Sequence, residues 1–261
     1  MLRRITVICF SLLFSIQSFS DENEPELGRH LVEIGYTSID GFDGDISGLA
    51  LGYTYSYSRN LRLTAQTIMI DLDFSAASDS EQKDSAARGQ GDSIIAIQYD
   101  PGANLTASPW VPNSLGIFGA LLLPTGNVKE GLSNDSWGAT VGAGWPIFFG
   151  SNRVIIPSVA YSRSYSHSSL STPFEELGFS ASFLWLAPQK FWVGIEPTIL
   201  WDFQSNETIY QYTAVMGKSF ANGIGIDLRF GNKKRFERYA DRDDRVLFLN
   251  LSWQFGQATR D

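Results

Sequence analysis

Hydrophobic and polar residues alternate one by one along most of this chain. The clearest case is the stretch VLFLNLSWQF at residues 246–255. Successive side chains of a strand point to opposite faces, so one face would carry Leu247, Leu249, Leu251, Trp253 and Phe255 and the other Phe248, Asn250, Ser252 and Gln254. Similar segments of roughly ten residues recur with turn residues between them, and no segment keeps a helical period. The pattern predicts an all-β protein.

The alternation predicts twelve strands. They are at residues 29–37, 46–58, 60–74, 91–100, 114–123, 136–148, 153–165, 175–187, 190–203, 208–219, 222–231 and 245–255. Residues 115–123 are apolar on both faces, the strand at 153–165 contains Pro157, and the one at 91–100 is short. The faces opposite the apolar ones are rich in glycine, alanine and serine, which favours some space inside the fold.

The connections decide between two all-β architectures. With the N-terminus on the periplasmic side, the inner connections are 58–60, 100–113, 149–152, 188–189 and 221–222, and the outer ones include 75–90, 124–135, 166–174, 204–207 and 232–244. Short inner turns, long polar outer loops and an even strand count are typical of membrane barrels. Connections 100–113 and 204–207 depart from that rule. We predict a transmembrane antiparallel up-and-down β-barrel of about twelve strands; the alternative is a secreted β-sandwich, which gives no reason for loop length to alternate.

Aromatic residues and the first twenty positions agree with a membrane location. Trp137 and Trp145 lie at opposite ends of one apolar face, as two interfacial aromatic girdles require. Arg3 and Arg4, a short apolar run and the small residues before an acidic stretch predict a secretory signal peptide over 1–20, the alternative being an N-terminal anchor helix. Residues 21–261 would then form a single barrel domain in the outer membrane of a Gram-negative-type cell.

Composition narrows the function classes. The chain has 28 acidic and 20 basic residues. This acidic balance argues against nucleic-acid binding, which needs a basic surface to neutralise the phosphates. The only cysteine, Cys9, lies in the predicted signal peptide, and the rest of the chain cannot use disulfides. Lys233, Lys234, Arg235 and Arg238 form one basic cluster, which we interpret as a solvated loop.

A short motif adds a family resemblance. The stretches are GQGDSIIAIQYD at 89–100, SLGIFGALLLPTGN at 114–127 and SWGATVGAGW at 136–145. Through Gly91, Asp92, Leu123, Pro124, Thr125 and Gly126 they resemble the outer-membrane barrel family associated with the meta-pathway of phenol degradation. The resemblance spans residues 89–149 only, and Pro-Thr-Gly is also a common turn sequence. It implies a transporter-like barrel for small, often aromatic or hydrophobic molecules, and no particular substrate.

Ionisable residues on the predicted inward faces are the candidate selectivity residues. They are Glu33, Asp71, Asp73, Asp92, Glu196, Asp202, Asp227 and Arg229. An acidic lumen would favour cations or neutral solutes over anions. The alternative is that these groups pair with one another and brace or plug the barrel.

One short stretch could carry enzymatic chemistry. His167 and Ser169 would share a strand face at the outer rim, and a Ser–His pair can activate a hydroxyl. Outer-membrane phospholipases look similar, with His-x-Ser at the rim of the barrel, but Leu170 stands where that pattern has Asn and no orienting partner is evident. A rim lipid hydrolase and a solvated loop start are therefore the two hypotheses for this stretch. Nothing in the sequence predicts a cofactor or a metal site.

The leading functional expectation is a passive channel for small molecules. A structural or adhesive barrel that transports nothing is a further alternative. The expected partners are outer-membrane lipid, a small-molecule solute and the barrel assembly machinery, which would read the aromatic-ended last strand. Residues 256–261 continue past that strand, and their role stays open.

Overall fold

The computed structural model describes residues 28–41, 44–58, 60–74, 85–100, 115–127, 132–133, 136–166, 173–236 and 241–255. Their regular structure is almost entirely β-strand. The strands are β1 Arg29–Gly41, β2 Gly44–Ser58, β3 Leu61–Phe74, β4 Ser85–Gln90, β5 Ser93–Tyr99, β6 Gly116–Leu123, β7 Ser136–Gly144, β8 Ile147–Phe148, β9 Arg153–Ser166, β10 Glu175–Ala187, β11 Phe191–Asp202, β12 Glu207–Ser219, β13 Ile224–Phe236 and β14 Asp241–Phe255. A 3-10 turn, Pro188–Lys190, joins β10 to β11. No helix in the described ranges is long and apolar enough to cross a membrane.

These strands close into a ring. Every strand pairs antiparallel with its neighbours, and β14 pairs with β1 from His30–Phe255 to Asp40–Arg245. Both β4 and β5 pair with β3, and both β7 and β8 pair with β9. The fourteen segments therefore form the twelve strands of the barrel wall, which we call staves. Closure pairs the backbone groups that an open sheet would leave at its two edges. The predicted twelve-stranded up-and-down barrel is confirmed.

The outward face carries the apolar residues, as the alternation predicted. Leu49 and Leu51 on β2 are 51% and 53% exposed, while Ala50 between them is 3% exposed. The same alternation runs along β14, where Leu247, Leu249, Leu251, Trp253 and Phe255 are exposed. A water-soluble protein rarely exposes so continuous an apolar surface, whereas a barrel in lipid must.

Aromatic rings collect at both ends of this outward band. At the outer end Trp201 stacks on Phe203 with ring centroids 5.7 Å apart. At the periplasmic end Phe255 packs against Trp253 at 4.8 Å and stacks on His30 at 5.2 Å. Two aromatic levels separated by an aliphatic band are typical of the two membrane interfaces.

The strands continue beyond the bilayer on the outer side. Most have 12 to 15 residues, whereas a tilted membrane crossing needs about 9 to 11. Two predicted outer loops are therefore wrong in extent: β4 lies within 75–90, and β13 and β14 occupy most of 232–244. β13 and β14 stay paired as far as Phe236 and Asp241. The paired strands continue here because residues 232–236 and 241–244 contain no glycine or proline that would end them.

A β-bulge separates β4 from β5. Met69 pairs with Gln90 but Gln66 pairs with Ile94, so one strand has an extra residue at this point. The amide of Gly91 donates to the carbonyl oxygen of Ile68 at 2.8 Å. A methyl group at Gly91 would collide with the Ile70 side chain, so glycine is the residue that fits. The bulge reverses which positions face inward: odd ones in β4 and even ones in β5.

The buried side chains of this protein lie in the lumen, and glycines on the lumen wall leave room for large rings on the neighbouring strands. Gly142 and Gly217 leave the space in which the rings of Phe118 and Trp192 lie, each on the neighbouring strand. A side chain at either glycine would collide with that ring. The expectation that small inward residues leave open space is therefore wrong at these positions, because large neighbours cover them.

Candidate functional site: the lumen

A buried ion pair lies on the lumen wall of β13. Arg229 is 5% exposed, and its Nε donates to Oδ1 of Asp227 at 2.8 Å. The two residues are two positions apart on one strand, so both side chains point inward. The guanidinium also interacts electrostatically with Glu196 of β11 and Glu33 of β1.

Two hydrogen bonds link these carboxylates to polar side chains on neighbouring strands. Asn250 Nδ2 donates to Glu33 Oε1 at 3.0 Å, and Ser182 Oγ donates to Glu196 Oε2 at 2.7 Å. We call Glu33, Glu196, Asp227, Arg229 and Asn250 the polar ladder. Buried charges need partners of this kind, and each charge of the ladder has at least one.

The opposite side of the lumen carries a group of apolar residues, beside inward polar ones such as Gln66 of β3 and Gln98 of β5. The apolar group consists of Ile68 and Ile70 of β3, Ile94 and Ala96 of β5, and Phe118, Ala120 and Leu122 of β6. We call this set the apolar wall. In the ring of twelve staves β6 is the fifth and β13 the eleventh, so the apolar wall faces the polar ladder across the lumen. The run at 115–123 is apolar on both faces because one face meets lipid and the other forms this wall.

The outer mouth is narrowed by a residue from the connection between β6 and β7. Leu132 is 1% exposed and packs against Ile39, Ile46 and Ile70, which point inward from β1, β2 and β3. Its amide donates to the carbonyl oxygen of Asn127 at 2.9 Å. A leucine at this position adds an apolar contact at the extracellular entrance.

The two halves of the family-like motif meet beside this leucine. Thr125 Oγ1 donates to the carbonyl oxygen of Gly91 at 3.2 Å, and the Gly126 amide donates to Asp92 Oδ1 at 3.2 Å. A methyl group at Gly126 would lie 2.6 Å from the carbonyl oxygen of Leu132, so the contact requires glycine. We call this contact the motif latch. Asp92, a predicted selectivity residue, holds the connection in place.

The periplasmic end of the lumen has an apolar cluster of its own. Val154, Leu184, Trp192 and Val215 are buried together on the inward faces of β9 to β12. Phe148, Ile156 and Leu186 pack against them. Apolar clusters therefore lie at both ends of the polar ladder, one at the outer mouth and one at the periplasmic end.

The remaining predicted charges do not join the polar ladder. Asp202 is buried at the outer end of β11, where Oδ1 accepts hydrogen bonds from the amides of Gln204 and Ser205 at 2.9 and 3.2 Å. Its geometry is that of a turn cap. Asp71 lies on the outward face with Met69 and sits 4.0 Å from Arg88. Asp73 is in β3 opposite Asp45, and its side chain is outside the described ones.

Asp71 faces outward because β3 continues above the lipid. Outward residues on neighbouring strands turn polar at a similar height, as Asp40 does on β1 and Arg245 on β14. The prediction that a charge within a strand must face the lumen holds only inside the bilayer. Above the bilayer both faces meet water.

Several inward polar residues were missed from the sequence. Lys233 is 4% exposed and lies opposite Asp244, which is 1% exposed, so Lys233 does not belong to a solvated loop as predicted. Glu176, 6% exposed, lies opposite Asp202. The two-residue alternation could have identified Lys233 as an inward residue, because positions 229, 231 and 233 share the inward face if β13 continues past residue 231.

The hydrolase hypothesis gains no support from the geometry. His167 and Ser169 lie outside the described residues. Among the residues that the structure describes, no group of three or more His, Cys, Asp or Glu side chains could hold a metal ion. The signal peptide and residues 256–261 also lie outside the described ranges and stay predictions.

Comparison with known proteins identifies the fold. No model of a protein family and no curated protein matches the sequence. An outer membrane channel from Pseudomonas putida F1 matches with a TM-score of 0.68 and 13% identity, over 88% of this chain and 96% of that one. The translocator domain of the autotransporter NalP from Neisseria meningitidis matches at 0.57 and 10%, over 96% and 95%. The KdgM porin matches at 0.54 and 8%, over 86% and 100%.

The chain has the outer-membrane β-barrel fold. An outer-membrane location accounts for the exposed aliphatic band, for the aromatic levels that border it and for the charges that begin above it. The predicted location is confirmed. The sequence identities are too low to carry function from these proteins, so function rests on the lumen.

Proposed function

We propose that this barrel is a passive channel for small molecules. The observation that carries the proposal is the arrangement of the lumen, in which the polar ladder faces the apolar wall across a closed barrel. A solute that has both an apolar body and a polar group would meet a matching surface on each side. Two proteins with a similar fold are an outer membrane channel and a porin, which agrees with this role.

The channel we propose is narrow and selective. Inward side chains on several strands are almost inaccessible, among them Thr37, Ser162, Arg229 and Asn250. A barrel of twelve strands has limited width, and side chains can fill much of it. A narrow route with weak polar and apolar contacts favours selection by chemistry over free diffusion of any small solute.

The resemblance to the phenol meta-pathway family enters the proposal at one point. Its motif residues hold Leu132 against the outer mouth through the motif latch. The family's implied cargo of small aromatic or hydrophobic molecules suits the apolar wall. Lipid around the outward band, and assembly machinery acting on β14, complete the set of partners we propose.

Conductance of the purified protein in a planar lipid bilayer tests the channel. We expect small, discrete current steps in potassium chloride. Phe118→Ala removes a ring from the apolar wall and should enlarge the steps. Phe179→Ala is the matched control, because that ring is 53% exposed on the outward face and its loss should leave the step size unchanged.

Three results would overturn the proposal. A folded barrel that gives no current in either variant would favour a structural or adhesive role. A barrel that conducts no ions but hydrolyses phospholipid in the same vesicles would favour the rim hydrolase. Equal effects of Phe118→Ala and Phe179→Ala would place the route outside the lumen.

A further inference from the structure

One patch of the lumen wall gathers several oxygen atoms from three strands. On β14 Asn250 lies opposite Gly35, with Glu33 and Thr37 as its diagonal neighbours on the inward face of β1. On its other side Asn250 lies opposite Asp227 of β13. Side chains related in this way on one face of a sheet are close enough to contact the same small group.

Two buried oxygen atoms of this patch have no hydrogen-bond partner. The amide nitrogen of Asn250 donates to Glu33, and Oδ1 of Asn250 accepts no hydrogen bond. Thr37 Oγ1 is also without a partner. The two residues are 6% and 2% exposed. Leaving such acceptors unpaired costs free energy, and native proteins usually supply a donor.

The charges around the patch are predominantly negative. Arg229 interacts with three carboxylates, those of Asp227, Glu196 and Glu33. Three carboxyl groups therefore share this one guanidinium, and an excess of negative charge is present whenever more than one of them is ionised. Such an excess inside a narrow lumen attracts cations.

An aromatic ring borders the same patch. A methyl group at Gly35 would lie 3.2 Å from Cε2 and Cζ of Phe248, so this ring covers the glycine opposite Asn250. Phe248 is 6% exposed and points inward. The face of an aromatic ring attracts an ammonium group, which adds to the attraction of the carboxylates.

We propose that Glu33, Asn250, Asp227, Thr37 and Phe248 form a subsite for a small organic ammonium ion. The N–H groups of the ion would donate to Asn250 Oδ1 and to the two carboxylates, and its carbon atoms would lie against the ring. A primary ammonium fits this mixture of acceptors and aromatic surface, while the described residues include no metal-binding group of three or more acidic, His or Cys side chains. The subsite rests on the proposed function for its role in passage but not for binding.

Calorimetric titration of the detergent-purified full chain tests the subsite directly. The probe is phenethylammonium chloride, and phenethyl alcohol is the neutral comparison of similar shape. We expect the ammonium to bind and the alcohol to bind about tenfold more weakly or not at all. Glu33→Gln should weaken ammonium binding by about tenfold, because it removes one carboxylate from the patch.

Asp71→Asn is the matched control. It removes one negative charge from the outward face of the same barrel and should leave binding unchanged. Asn250→Ser is a second test, and it should also weaken binding because the amide oxygen is lost. Equal binding of alcohol and ammonium, or equal losses in Glu33→Gln and Asp71→Asn, would overturn the inference.

Reversal potentials in a potassium chloride gradient separate the subsite from the channel. We expect a preference for potassium over chloride that falls in Glu33→Gln and persists in Asp71→Asn. A barrel that conducts but does not bind the ammonium would refute the subsite and leave the channel standing. A barrel that binds the ammonium but conducts nothing would support the subsite and refute the channel.

Discussion

Arg229 is the residue on which the charges of the lumen converge. Its guanidinium bonds Asp227 directly and interacts with carboxylates from two other strands. Removing one partner of a buried ion pair leaves the other charge without compensation, and this costs more than the pair contributes as a whole. At the residue scale Arg229 therefore affects both the stability of the barrel and the charge of its lumen.

Arg229→Met should destabilise the barrel by about 3 to 5 kcal/mol, because it leaves three carboxylates near one another without their counter-charge. Urea unfolding in detergent micelles measures this free energy. Arg88→Met is the control, since that side chain is 83% exposed beside Asp71 and its loss should cost less than about 1 kcal/mol. Similar losses in both variants would contradict the burial of Arg229.

At the scale of elements, the β4–β5 bulge and the β6–β7 connection work together. The bulge presents the Gly91 carbonyl and the Asp92 carboxylate, and Thr125 and Gly126 bond to them. This contact joins residues 34 positions apart along the chain. A motif that reads as a strand start and a turn in the sequence is one structural unit in the fold, and the unit places Leu132 in the mouth.

Leu132→Ala should increase the conductance, because it removes a side chain from the narrowed outer mouth. Leu121→Ala is the control, since that leucine is 50% exposed on the lipid face of β6. Thr125→Val should shift the conductance in the same direction by a smaller amount, because the motif latch loses its hydroxyl. An unchanged conductance in Leu132→Ala would show that the outer mouth does not limit flow.

At the scale of the whole molecule, closure between β1 and β14 defines the lumen. The two strands stand at opposite ends of the described chain, and their pairing brings Glu33 within reach of Asn250, 217 residues away. Without that seam the polar ladder would have no continuous wall. The seam is bordered at the periplasmic end by the His30 and Phe255 rings.

A pair of cysteines tests the closure. Ile34 and Leu251 face each other across the seam on the outward side, and residues 21–261 contain no cysteine. Ile34→Cys with Leu251→Cys should form a disulfide under mild oxidation, because directly opposed residues have the required spacing. Ile34→Cys with Ile195→Cys, which lies on a distant stave, should not. The readout is mobility on a non-reducing gel, and an absence of the first cross-link would contradict a closed barrel.

The positions of the strands and the identity of the lipid-facing side were available from the sequence alone. Alternation is a local property that each segment shows by itself, so all twelve predicted strands and the outward apolar faces are present. Only the tertiary structure decided which inward residues meet, since Glu33 with Asn250 and Asp92 with Gly126 depend on closure and on register between distant strands. It also decided that Gly142 accommodates Phe118 rather than open space, and that Asp71 faces outward above the lipid. Local periodicity does not determine the side-chain volume on a neighbouring strand or the height of a residue relative to the bilayer. These two quantities shape the lumen, and only the tertiary structure gives them.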